Sequence, residues 1–208
     1  MPITIDDQKL APDDFGFTTV GQVLGHLQRN NRLVVNVTLN GEAPDLDRMG
    51  ELRAQSLDGN ELYIETVDPT EMAMSVLDEV EQQLAGTDRA RLEAADLLQS
   101  DRTVKAMEKL AGCFGIWQHA QQSLLQTARL MGVDLSLLNV EGRPIVEFLQ
   151  GFSAHLRTIR DALEGRDFVL LGDVLTYEMG DSARLWFVAV QSLRDAITTP
   201  STPLRAVA

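Results

Sequence analysis

Cysteine is almost missing: Cys113 stands alone in 208 residues, so no internal disulfide can form and a multi-thiolate metal site is excluded. Histidine is nearly as scarce. His26, His119 and His155 are the only three, and none has a second histidine or a cysteine three or four residues away to share its helical face, which argues against a metal centre. Lysine occurs three times among 18 basic residues set against 31 acidic ones, for a net charge of −13. The arginines are scattered singly among acids, so a phosphate backbone would meet no basic stripe and a nucleic-acid partner is not expected. No apolar run approaches the roughly 18 residues that cross a bilayer, and residues 1–20 lack the pattern of a secretory leader. These absences predict a soluble, cytoplasmic chain with no membrane partner.

Signatures of chemistry are missing too. There is no Gly-x-Ser-x-Gly elbow, no phosphate loop and no dinucleotide fingerprint. The segment Asp45-Leu46-Asp47-Arg48-Met49-Gly50 opens like a calcium loop, but Met49 occupies a ligand position and Ser56 stands where a bidentate glutamate is needed. It reads as a loop or short helix. Asp173 with Glu178, or Asp78 with Glu79 and Glu81, could face one another inside a bundle, yet the Glu-x-x-His motif of di-metal sites is absent and solvated helix faces explain them. Glu147 precedes His155 by eight residues, a spacing common by chance. Cys113, between Gly112 and Phe114 in mid-helix, reads as a small buried hydrophobe. No catalytic, cofactor-binding or metal-binding residue is expected, and no cofactor.

What is present falls into two textures. Residues 1–68 mix strand and helix signals: Ile3-Thr4-Ile5 alternates, Asp6 to Lys9 supplies turn material, and a second strand is expected near Phe15 to Phe17. Thr19 with Gln22 forms a capping box for a helix to about residue 30, whose apolar face is Val20, Val23, Leu24 and Leu27. Residues 32–39 are rich in β-branched side chains and close on the turn Asn40-Gly41; residues 61–67 form another strand. From Asp68 onward the chain reads as helical. Asp68, Pro69 and Glu71 are a capping carboxylate, a first-turn proline and an acid three residues on. Helices are predicted over 69–85, 88–100, 102–131, 144–164 and 168–197, with Gly86, Gly132 and Gly165 at their ends and Asp101 and Asp167 as caps. A weak repeat at a spacing of 65 lays residues 98–104 over 163–169, predicting two helical hairpins that bury their stripes together. Thr198 to Pro203 begin a breaker-rich tail, expected to fray over 198–208.

The expected fold is therefore α+β: a small N-terminal domain over residues 1–68, then an all-α bundle of two hairpins plus a linking helix over 69–197. The order strand, strand, helix, strand, short helix, strand resembles the ubiquitin-like β-grasp. Sulfur-carrier and modifier members of that superfamily act through a terminal Gly-Gly, whereas this sequence ends Ala206-Val207-Ala208, so carrier chemistry is not expected. The stretch from Arg166 to Glu178 is similar to a recurrent segment of bacterial proteins that pair such an N-terminal region with helices, and this resemblance implies no activity. Docking of the two parts is expected from the apolar positions Met72, Val76, Val80 and Leu84.

Trp117 lies on an apolar helical stripe with Leu110, Phe114 and Leu124 and reads as core. Trp186, in another long helix, also reads first as core; if any aromatic is exposed, it is the pair Trp186 and Phe187, adjacent bulky residues that cannot both point at one core, which makes them the candidate contacts for a partner or a dimer mate. The function expected is a non-catalytic adaptor or scaffold binding a protein, basic in character or a second copy of itself. The alternatives are an acidic assembly or secretion chaperone and an enzyme with its site between the two parts.

Overall fold

The computed structural model describes residues 3–10 and 15–199, and it is a mixed α+β chain dividing into two compact units, Met1–Met72 and Ala73–Ala208. The frayed tail expected over 198–208 lies, from residue 200 on, outside the described residues.

In the N-terminal unit, β1 (Ile3–Ile5) and β2 (Gln8–Leu10) form a hairpin around Asp6 and Asp7, which both take positive φ, 48° and 62°. Two left-handed residues in succession make the turn whose twist matches paired strands. The second strand thus begins at Gln8, inside the segment read as turn, and Phe15 to Phe17 form none. Helix α1 (Val20–Arg29) starts as expected, with the Gln22 side-chain oxygen accepting from the backbone of Thr18 at 2.6 Å and Thr19 at 3.3 Å. β3 (Leu33–Leu39), α2 (Met49–Ala54) and β4 (Leu62–Val67) follow. The sheet order is β2-β1-β4-β3, with β1 and β4 parallel and the other neighbours antiparallel. Val20, Val23, Leu24 and Leu27 of α1 pack with Ile3, Leu62 and Ile64 of the sheet and with Leu52 and Leu57. Each such buried aliphatic side chain contributes about 1.5–3 kcal/mol.

The C-terminal unit is helical. α3 (Pro69–Gln99) starts on the Asp68 carboxylate, which accepts from the backbone of Thr70 at 2.7 Å and Glu71 at 3.1 Å. It runs unbroken through Gly86, where two helices were expected. Leu84, Thr87, Arg91, Ala94 and Leu98 keep one face buried through that point, and continuous packing outweighs the roughly 1 kcal/mol that one exposed glycine costs a helix. α4 (Thr103–Leu130), a short β5–β6 hairpin (Asn139–Val140 with Arg143–Pro144) and α5 (Ile145–Gly165) follow. α6 (Phe168–Asp173) then continues through a π-turn, Val174–Glu178, into α7 (Met179–Thr198).

The 65-residue spacing is built into the backbone. Asp101 and Arg166 both take left-handed conformations, φ 58° and 54°. Around them the N–H of Arg102 reaches Leu97 O and the N–H of Asp167 reaches Ala162 O, the same helix-closing bond 65 residues apart.

Candidate functional site

Two concave surfaces stand out, one in each unit. In the first, β3 lies at the sheet's edge, with β4 its one neighbouring strand among the described residues. Beyond it lies a groove of 530 Å³ with Leu24 and Gln28 of α1 on one side, Val34 and Val37 of β3 along its length, and Met49 and Arg53 of α2 beyond. The sequence places apolar side chains here that the fold covers only in part, and Val35, at a bulge in the β3–β4 register, is 49% exposed. Leu39 exchanges backbone bonds with Glu42 at 2.9 and 3.1 Å across the Asn40–Gly41 turn, on the side away from β4. Strand alternation therefore turns the backbone N–H and C=O of Val37, two residues earlier, to that same open edge. Arg53 has no ion-pair partner among the described residues. Arg32, at the groove's other side, is held by Thr66 at 2.8 Å and Asp6 at 3.3 Å.

The second surface is a cleft of 290 Å³ between the β5–β6 hairpin, α5 and α7, lined by Arg143, Glu147, Phe148, Phe152, His155 and Ser182 among others. Ser182, 4% exposed, has its hydroxyl 3.2 Å from His155 Nδ1. The other ring nitrogen, Nε2, is 3.8 Å from the Glu178 carboxylate. The Ser182 hydroxyl has a second acceptor, the Glu178 carbonyl at 3.4 Å.

The π-turn sets this arrangement. A π-turn adds one residue to a helical turn, which rotates everything after it by about 100° and leaves a carbonyl without its helical partner. Arg91 of α3, 3% exposed, meets that need: it donates to the carbonyls of Leu175 and Thr176 and to the Asp88 carboxylate at 2.6 and 2.9 Å. Behind the cleft, Trp186 packs edge-to-face on Phe148 and Phe152, with ring centroids 5.2 and 5.3 Å away. Its indole N–H has no hydrogen-bond partner among the described residues.

Trp186 is core, as first read, and the alternative of an exposed Trp186–Phe187 pair is corrected here. Trp186 is fully buried and Phe187 is half-buried against the same core. Adjacent residues on a helix lie 100° apart, and α7 is covered by neighbours over an arc wide enough to take the first wholly and the second partly. Trp117 is core, as expected. Cys113 is buried, and burial pushes its thiol pKa up. Asp45 caps a short helical turn through the Asp47 N–H at 3.0 Å, and Asp78 and Glu81 both pair with Arg194, at 2.6 and 3.1 Å. His26 packs on Phe15 and Phe17, and His119 bonds Gln83 at 3.1 Å. Sequence reading missed Arg91 and Ser182, and noted His155 and Glu178 without joining them.

The family described as Domain of unknown function (DUF8042) matches residues 75–187. That is 113 of the 208 residues. The chain belongs to this family. The matched segment holds Arg91, Arg143, His155, Glu178 and Ser182, so the DUF8042 region contains the cleft, while the β3 groove lies outside it. No curated protein and no solved structure matches the chain.

Proposed function

We propose that this protein is a cytoplasmic adaptor whose N-terminal unit is a β-grasp domain that docks an extended peptide segment of a protein partner by adding a strand to β3. The observation that carries the reading is the open backbone edge at Val37 beside an apolar groove. Strand addition obtains affinity from main-chain hydrogen bonds and specificity from pockets that take alternate side chains, and this groove offers both. The mixed sheet with two parallel central strands crossed by one helix supports the β-grasp reading. The guanidinium of Arg53, without an ion-pair partner among the described residues, favours a segment whose apolar alternation is flanked by an acid. This local charge argues for an acidic-flanked ligand at this site, although the chain's acidity as a whole suggested a basic partner.

The test is selection of peptides from a displayed random library on the full chain, followed by affinity measurement. Selected sequences are expected to alternate apolar residues next to Asp or Glu. Val37→Pro removes an N–H that faces away from β4, so it should keep the fold and weaken binding at least tenfold; Arg53→Glu should weaken the acidic peptides. Unchanged binding to Val37→Pro would sink the proposal, as would selection of peptides with no alternation. Loss of a dimer in Val37→Pro, seen by sedimentation, would replace the peptide by a second copy of this chain.

A further inference from the structure

The DUF8042 cleft carries an arrangement that an adaptor does not need. A serine nucleophile requires a base within hydrogen-bond reach and a third group to orient that base. Ser182 and His155 Nδ1 are 3.2 Å apart, and Glu178 stands 3.8 Å from Nε2, a separation of the kind that closes when substrate binds. Glu178 and Ser182 are four residues apart, so they share one face of the helix, and α5 brings His155 to that face. With Nε2–H toward Glu178, the neutral ring presents Nδ1 as the acceptor for the serine proton. Both Ser182 and His155 line the cleft, and Phe148 and Phe152 give it an apolar wall. Arg143, the only Lys or Arg side chain lining it, has no ion-pair partner among the described residues.

We propose that Ser182 is an acyl-accepting nucleophile with His155 as general base and Glu178 as positioning residue, and that the cleft takes the apolar acyl group of a small carboxylic ester. The Ser182 oxygen bonds to the ester carbonyl carbon while its proton passes to His155 Nδ1. Negative charge develops on the carbonyl oxygen, where Arg143 is the available cation. The carbon–alkoxy bond breaks, and the alcohol leaves with the proton from His155. Water then attacks the acyl-serine, with His155 again taking and returning a proton, to give the carboxylic acid and free Ser182. Arg91 acts at one remove, by holding the π-turn that presents Glu178 and Ser182.

The test uses the full chain with an alkyl fluorophosphonate and, separately, p-nitrophenyl butyrate. The expected results are an adduct mapped by mass spectrometry to Ser182 and a burst of one equivalent of nitrophenol. Both should vanish in Ser182→Ala and slow at least tenfold in His155→Gln, with the near-ultraviolet circular dichroism of both variants unchanged. Glu178→Gln should slow the burst less than His155→Gln does. Absence of both adduct and burst overturns the proposal; so does an adduct on another residue, such as the exposed Tyr177, or a rate indifferent to His155→Gln. Peptide docking at β3 stands or falls separately, because neither Val37 nor Arg53 is among the residues that line this cleft.

Discussion

The guanidinium of Arg91 donates to the backbone carbonyls of Leu175 and Thr176, 84 and 85 residues further along the chain. A side chain buried to 3% exposure is thus committed to a local irregularity in a distant helix, and the irregularity would be costly without it.

Arg91→Ala is expected to destabilise the C-terminal unit by about 2–4 kcal/mol, since it leaves buried carbonyls without donors. Arg91→Lys should recover part of this, because it restores charge without the fork. Urea unfolding followed by circular dichroism measures both, and an Arg91→Ala loss below about 0.5 kcal/mol, the range of an ordinary surface change, would show that the π-turn does not depend on this residue.

Trp186→Ala should cost about 3–5 kcal/mol as a core truncation. Trp186→Phe is expected to cost much less, because the indole N–H it removes has no partner among the described residues. A surface role would give the reverse pattern, with little change in stability for either variant.

Two glycines should respond oppositely to alanine. At Gly86 an added Cβ meets nothing within 4 Å, so Gly86→Ala should stabilise the continuous helix α3 by about 0.5–1 kcal/mol. At Gly21 the Cβ would lie 2.8 Å from the carbonyl oxygen of Arg53, and overpacking between α1 and α2 should cost about 1–3 kcal/mol. Thermal unfolding of the two variants separates a helix that passes through Gly86 from one that stops there.

Asp6 gives the N-terminal unit an acid-sensitive contact. Its carboxylate accepts from the Thr66 hydroxyl and backbone N–H, both at 2.6 Å, and pairs with Arg32. The Thr66 hydroxyl is the largest cause holding its pKa below 3.8. A carboxylate depressed in the folded state adds stability above its unfolded pKa and loses it as pH falls through the folded value. Asp6→Asn, which tolerates the positive φ, should therefore be less stable than the native chain at neutral pH, and the gap should close on acidification below 3.8. A gap independent of pH would count against the contact.

Cys113 should resist thiol reagents in the native state, being buried with a raised pKa. Its labelling rate in increasing urea should follow opening of the helical unit, and rapid labelling without denaturant would contradict the packing around Thr87 and Cys113.

The parts of the fold legible in the sequence are those written in local chemistry. The Thr19–Gln22 box, the Asp68 cap, the Asp167 cap on Leu170 at 2.9 Å and the β-branched run of β3 each appear where their residues imply. The misses share a cause. The unbroken helix at Gly86, the second strand starting at Gln8 and the cover over Phe187 are places where packing or pairing with other elements decides, and no local signal carries that information. Arg91 and Asp88, three apart, read as an ordinary surface pair until α7 supplies the carbonyls. The β3 groove was implicit in an edge strand with too many apolar side chains for its cover. The Ser182, His155 and Glu178 cluster was hidden because its spacing spans 27 residues and depends on a helical irregularity.

The edge-to-face rings of Phe148, Trp186, Phe152 and Trp117 have a spectroscopic consequence. Both tryptophans of the chain lie in the C-terminal unit, so intrinsic tryptophan emission reports that unit alone, while the sheet and its groove are dark at those wavelengths. The two tyrosines, Tyr63 and Tyr177, fall one in each unit, so in a Tyr177→Phe chain the tyrosine emission of Tyr63 would time the melting of the N-terminal half against the tryptophan curve of the other without any added label.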